Sequence, residues 1–284
     1  MSVQEKTILV DGLNVHYWEA GAENARAVLL IHGGLGDAKL HWEPVLPLLA
    51  ENFHVLAPDL PGFGSSQQLP TQRTDVLLHW IKAFIDAHKL EQVVLIGNAF
   101  GALLVRLFAA ANPKYSPAVI LVNGGGVPDL PMIFKWIDKI PGLSNLVFAQ
   151  FGRMMTSPGA LQRIIHIKSV LTEPFYTAVK SSSGSFSSMM KMFVTSGVPA
   201  ERTPIVPTLI LWGVDDTFTP SGERDAIKDS IPGAVVTEIA DCGQMPQLET
   251  PDVFSWQVTT FLDKLTRPQS ASKAGPKMLR KLSG

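Results

Sequence analysis

Hydrophobic and polar positions along this chain follow two rhythms, and they change over twice. Near the start, Thr7–Gly12 and Asn14–Ala20 read as a hairpin-like pair joined around Leu13. Four short apolar runs follow, Ala27–His32, Phe53–Pro58, Gln92–Gly97 and Ala118–Asn123. They are continuous rather than alternating, which suits strands buried on both faces of a parallel sheet. Helical periodicity fills the gaps. From Asp75 to His88 it places Leu77, Trp80, Ile81, Phe84 and Ile85 on one face. A second helix is expected from Phe100 to about Ala111, ending before Pro113.

Between residues 124 and 200 no strand pattern is found. Helical segments there are broken by Pro131, Pro141, Pro158 and a serine-rich stretch at 180–188. Strands return at Thr208–Gly213 and Ala234–Ala240, and a last helix is expected from about Pro251 to Leu265. One sheet domain split by a helical insertion accounts for this order, since two separate domains would leave the last strands unpaired. The expected division is a core at 1–125 and 201–267, a helical cap or lid at 126–200, and a flexible basic tail at 268–284. From Arg267 onward there are five basic residues and no acidic one, and a frayed, solvated end is expected. No internal repeat is present.

Composition narrows the picture by exclusion. Length 284 with 46% apolar residues suits one large α/β domain carrying an insertion. The formal net charge of −1 gives no electrostatic argument for nucleic acid. One cysteine, Cys242, precludes an internal disulfide and is compatible with a reducing compartment. The N-terminus lacks the pattern of a signal peptide, and no apolar run approaches the ~20 residues needed to span a bilayer. A soluble cytoplasmic protein, monomeric or homodimeric, without nucleic-acid or membrane partners, is expected.

The chemistry concentrates in five segments. Gly97-Asn98-Ala99-Phe100-Gly101 has the spacing of a G-x-S-x-G nucleophile elbow, with alanine where the serine belongs. "HGGLGD" at 32–37 follows the third strand, and "PDLPGFGSS" at 58–66 follows the fourth. "LILWGVDDTFTP" at 209–220 and "DCGQMPQLETPDVF" at 241–254 precede the last helix. In this order the segments resemble the α/β-hydrolase superfamily over roughly residues 7 to 265. The resemblance implies an α/β fold with a mostly parallel eight-stranded sheet, helices on both faces and an inserted helical cap. It is nearest to the lidded hydrolases that include meta-cleavage-product C–C hydrolases and epoxide hydrolases. "GNAFGA" is similar to a "GNSFGG" elbow, and "CGQMPQLETP" to a "CGHxxQxExP" histidine loop. The resemblance makes Asp216 the triad acid, puts Ala99 at the nucleophile and Gln244 at the histidine, and assigns oxyanion donors to Phe100 and to Gly34 or Leu35.

Alanine has no atom that attacks, and glutamine cannot exchange a proton near neutral pH. Ser–His chemistry is therefore excluded, leaving at most the ~10³–10⁴ over water that binding and an oxyanion hole supply. Backbone donors survive the loss of side chains, so the oxyanion hole is expected intact. Asp216, if buried, has a raised pKa and serves either as a lone acid or base or as the satisfied partner of Gln244. His32, His41, Trp42, Asn98 and Met245 are pocket candidates, although structural roles are the commoner fate of such residues. Cys242 reads as a small buried residue. The histidines show no metal-ligand spacing and no phosphate loop is present, so neither metal nor cofactor is expected. Six of nine methionines lie in the insertion, which suggests an adaptable apolar pocket for a small ligand with a carbonyl or phenol oxygen. Three readings compete: a non-hydrolytic enzyme of elimination, cyclisation or isomerisation; an ester, epoxide or C–C hydrolase disabled at two positions; and a binding protein without turnover.

Overall fold

A computed structural model describes residues 2–127, 136–137, 140, 142–200, 203–219 and 221–266. The expected basic tail, and several of the cap residues around Met132 and Phe134, lie outside the described residues. Eight strands form a single sheet: β1 Gln4–Val10, β2 Leu13–Ala20, β3 Ala27–Ile31, β4 His54–Pro58, β5 Val94–Asn98, β6 Val119–Val122, β7 Thr208–Gly213 and β8 Val235–Ile239. Their order is β1-β2-β4-β3-β5-β6-β7-β8. Only the β1–β2 and β2–β4 pairings are antiparallel, and β3 to β8 are parallel.

The opening hairpin turns at Asp11–Gly12, with Val10 opposite Leu13, and not at Leu13 itself. Asp11 and Gly12 have φ of 47° and 81°, the left-handed pair that a two-residue turn needs to match the strand twist. Residues of β3 then divide by alternation. Leu29 and Ile31 join the core shared with the helices Thr74–Ala87 and Phe100–Ala111, while Val28 and Leu30 join the opposite core with Leu46, Phe254 and Val258. This double burial is why the strands read as continuous apolar runs.

Between β6 and β7 the chain forms the helices Leu143–Met155, Pro158–Ile164, Glu173–Ser181 and Ser183–Ser196, with no strand among the described residues. Phe186 and Met189 of the last one lie over Gly34, close enough that a Cβ there would sit 2.6 Å from the Met189 methyl. The helical segment thus roofs the carboxyl ends of the central parallel strands, where open α/β sheets bind ligands.

Candidate active site

β5 ends at Asn98 and the next helix starts at Phe100, so the turn has a single residue in which to reverse direction. Ala99 takes φ 50°, ψ −111° to do so, a conformation that costs a residue with a Cβ on the order of 1–3 kcal/mol. Glycines make the turn sterically possible. A Cβ on Gly97 would lie 2.2 Å from the Gly101 carbonyl oxygen, and one on Gly101 would lie 2.1 Å from that of Ile31. Phe100 occupies the first helical position, so its N–H has no partner within the helix and lies at the positive end of the helix dipole. Because Ala99 bears the strain without a hydroxyl to present, Ala99→Gly should stabilise the chain. Relief of ~1–3 kcal/mol outweighs the ~0.4–1 kcal/mol lost through a freer unfolded chain. A rise in the urea midpoint equivalent to about 1 kcal/mol is expected, and a fall would show the turn to be unstrained.

Asn123, the residue after β6, ties the remaining triad positions together. It is fully buried with φ 40°, a conformation asparagine tolerates better than most side chains. Its Nδ2 donates to Asp216 Oδ2 at 2.8 Å, its Oδ1 accepts from Gly213 N at 3.0 Å, and its carbonyl accepts from Gln244 Nε2 at 2.8 Å. Asp216 Oδ1 accepts from the N–H groups of Phe218 and Thr219 at 2.8 and 3.0 Å. Gln244 Oε1 accepts from Thr219 Oγ1 at 3.0 Å. The expected Asp216–Gln244 pair therefore does not form. Gln244 commits both amide atoms to Asn123 and Thr219, and the two residues meet only through these shared neighbours. Burial raises the Asp216 pKa, and its hydrogen bonds from Asn123, Thr219 and Phe218 pull the other way.

A cavity of about 260 Å³ lies between this network and the helical roof. Gly33, Gly34, Leu35, Ala99 and Phe100 line it, as do His41, Asn98, Gln244 and Met245 among the expected residues. From the helical roof, Phe151, Phe186, Met189, Met190 and Phe193 join its apolar wall. Three expected residues are not on that wall. Asp216 is turned into its own loop by the bonds just described, so its placement does not support direct acid or base action. Trp42 is fully buried in the opposite core, its ring 6.2 Å from that of Phe254. His32 lies beneath the oxyanion loop, where Nδ1 donates to the Gly33 carbonyl at 2.6 Å and Nε2 accepts from Leu60 N at 2.9 Å. That fixes a neutral ring, and burial, with His41 nearby, depresses its pKa to about 3.

His41 reaches the cavity but has a similar structural duty. Its Nε2 donates to the Leu35 carbonyl at 2.8 Å, which leaves Nδ1 to accept from Gln247 Nε2 at 3.3 Å. Burial lowers its pKa to about 4. Asn98 donates from Nδ2 to the carbonyls of Val122 and Gln244, which orients the amide, and its buried Oδ1 has no hydrogen-bond partner. Cys242 is buried and its thiol is pushed up to about 12, so it is inert at neutral pH.

Sequence reasoning missed Asn123, Thr219 and Glu223. Asn123 could have been flagged as a polar residue at the carboxyl end of a central parallel strand. Glu223, in the first turn of the helix Ser221–Ser230, lines the cavity and has no comparable signal. The fold also gathers His166, Asp215 and Asp241 from three segments, with ligand atoms within 4.8 Å of one another. His166 and Asp241 are exposed, none of the three lines the cavity, and no linear spacing announces the group.

Sheet order, the turn at Ala99, the loops that follow β3 and β7 and the helical roof together match an α/β-hydrolase. Residues 28–255 match the Alpha/beta hydrolase family, and the chain belongs to it. It is 28% identical over 270 residues to 2-hydroxy-6-oxononadienedioate/2-hydroxy-6-oxononatrienedioate hydrolase 2 of Pseudomonas putida, covering 88% of this chain and 92% of that one. It is 25% identical over 282 residues to 2-hydroxy-6-oxo-6-phenylhexa-2,4-dienoate hydrolase of Burkholderia cepacia, covering 92% and 95%. Among solved structures, a meta-cleavage product hydrolase from Pseudomonas fluorescens IP01 superposes with a TM-score of 0.74. The match is 23% identical and covers 91% of this chain and 97% of that one, which was solved as a serine-to-alanine mutant complexed with acetates. No described helix is long and apolar enough to cross a membrane.

Proposed function

We propose that this chain is a non-hydrolytic member of its family that binds a small, mostly apolar ligand through a carbonyl or phenol oxygen. The observation that carries this reading is the closed network around Asn123, in which Gln244 and Asp216 are satisfied without a histidine or serine. Phe100, Gly34 and Leu35 line the same cavity, and in this proposal the backbone N–H groups of Phe100 and of Gly34 or Leu35 supply the polarising donors. Polarising the oxygen acidifies neighbouring C–H or O–H bonds, so elimination, cyclisation and isomerisation are the reactions favoured. No water enters their balance in place of a broken C–C or ester bond.

A second reading, a hydrolase disabled at Ala99 and Gln244, draws on the hydrolase relatives and on the retained elbow. Incubation in H₂¹⁸O separates the two. The test ligands are 2-hydroxy-6-oxo-6-phenylhexa-2,4-dienoate and the neutral 4-phenylbut-3-en-2-one, with products analysed by mass spectrometry. The expected result is an isomerised or cyclised ketone carrying no enzyme-dependent ¹⁸O, with no benzoate from the dienoate. Benzoate carrying one ¹⁸O atom would establish hydrolysis and sink the proposal. Ligands bound but returned unchanged would leave a binding protein.

A further inference from the structure

The charge on the cavity wall is unlike what the relatives' names require. A dioate carries two carboxylates and a dienoate one, so those ligands are anions. Among the described residues lining this cavity there is no lysine or arginine. His41 is held neutral by its two hydrogen bonds and by burial. The remaining ionisable group among the described residues of the wall is Glu223.

Glu223 is built into its place. Its side chain lies flat against the backbone of Gly126, where a Cβ would come within 2.4 Å of its Oε1. Burial raises the Glu223 pKa, the adjacent Gly126 N–H acts against that rise, and no cationic side chain pairs with the carboxylate among the described residues. Arg106, the nearby guanidinium, instead reaches the Gly125 carbonyl at 2.9 Å and Ser230 Oγ at 2.7 Å. A half-buried carboxylate with one backbone donor keeps acceptor capacity for a ligand. Asn98 Oδ1, a buried acceptor without a partner, stands on the same wall. The elbow side offers donors and the positive end of a helix, so the cavity is polarised across its width.

We infer that Glu223 selects the ligand: the cavity takes an apolar molecule with a carbonyl or phenol oxygen at the elbow and a hydroxyl or protonated amine toward Glu223, and rejects carboxylates there. This rests on the oxyanion reading above, and it names the ligand class that reading leaves open. Unlike charges in a cavity of reduced dielectric attract, and like charges repel by a similar amount, so the two ends of a matched series separate strongly. The specificity of the hydrolase relatives is then not shared by this chain.

Three probes with the same carbonyl test it: 4-(aminomethyl)acetophenone, 4-(hydroxymethyl)acetophenone and 4-acetylbenzoate. Their affinities are measured by titration calorimetry or ligand-observed NMR at pH 8, on the full chain and on Glu223→Gln and Glu223→Ala. The expected order is ammonium, then hydroxymethyl, then carboxylate, with at least a tenfold gap between the extremes. In both variants that gap should shrink to within threefold, with circular dichroism confirming the fold. Equal affinity for ammonium and carboxylate in the parent, or an order unchanged in both variants, overturns the assignment. Binding of none of the three overturns the oxyanion reading and this inference with it. Binding without charge preference overturns the inference alone.

Discussion

Restoring serine at Ala99 and histidine at Gln244 together should raise hydrolysis of p-nitrophenyl acetate at least 10³-fold over the parent chain. Either single replacement should stay within tenfold of the parent. The asymmetry follows from how a triad works: the hydroxyl needs a base, the base needs an oriented proton, and the members act as a unit. The scaffold retains the other parts. Ala99 has the strained elbow backbone, Phe100 opens the helix with a donor, and Asp216 is held by Asn123, Phe218 and Thr219. A histidine at 244 would release Thr219 Oγ1 and the Asn123 carbonyl from Gln244, and Asp216 Oδ2 has acceptor capacity left to receive it. A gain of this size shows that the oxyanion donors are in working geometry, which the non-hydrolytic reading and the disabled-hydrolase reading both need. A folded double variant with no gain would remove that support.

Acid should destabilise the chain well before its carboxylates are protonated. His32 and His41 are fully buried, and burial depresses their pKa values from 6.5 to about 3 and about 4. The unfolded chain binds both protons as pH drops through about 6.5, whereas the folded chain does not. Their contribution is therefore complete above pH 6.5 and is lost as pH falls from there toward 4 and 3. At pH 5 each has forfeited about 2 kcal/mol, or about 4 kcal/mol together, against a typical total of ~5–15 kcal/mol. The geometry agrees with the sign. A second proton on His32 would displace the Leu60 N–H, and one on His41 would face the Gln247 amide donor. Asp59, Asp216 and Glu223 act oppositely, because burial raises their pKa values and they regain stability as pH falls through them. Their unfolded references lie near pH 4, so this offset builds as pH falls through the raised folded values and is complete by about pH 4. Urea unfolding at pH 7 and pH 5, with imidazole NMR on the folded chain, measures both halves. Equal stability at the two pH values, or buried imidazoles titrating near 6.5, would refute the account.

The sheet was legible because its physics is local. Strands buried on both faces must be continuously apolar, and β3 to β7 are. The elbow was legible for the same kind of reason, since Gly97 and Gly101 sit at positions where a Cβ would collide with backbone. Trp42 shows where adjacency misleads. Neighbouring residues on a helix point about 100° apart, so His41 faces the cavity while Trp42 enters the opposite core. Gln244 and Asp216 were paired by analogy with a histidine and its acid. An imidazole would have one ring N–H to aim at Asp216, whereas the Gln244 amide finds a donor in Thr219 and an acceptor in Asn123, both closer to hand.

By itself the sequence determined the strand and helix order, the strained turn, and the alanine and glutamine at the positions where the resembled motifs have serine and histidine, because each depends on which atoms a residue carries or how its immediate neighbours alternate. The tertiary structure alone decided what shares the cavity. Asn123, Thr219 and Glu223 lie up to 100 positions apart (223 less 123), and they meet because parallel strands bring their carboxyl ends into one row while the segments between them are free to be long. A side chain's partners are set by where the chain returns, and no local pattern encodes that.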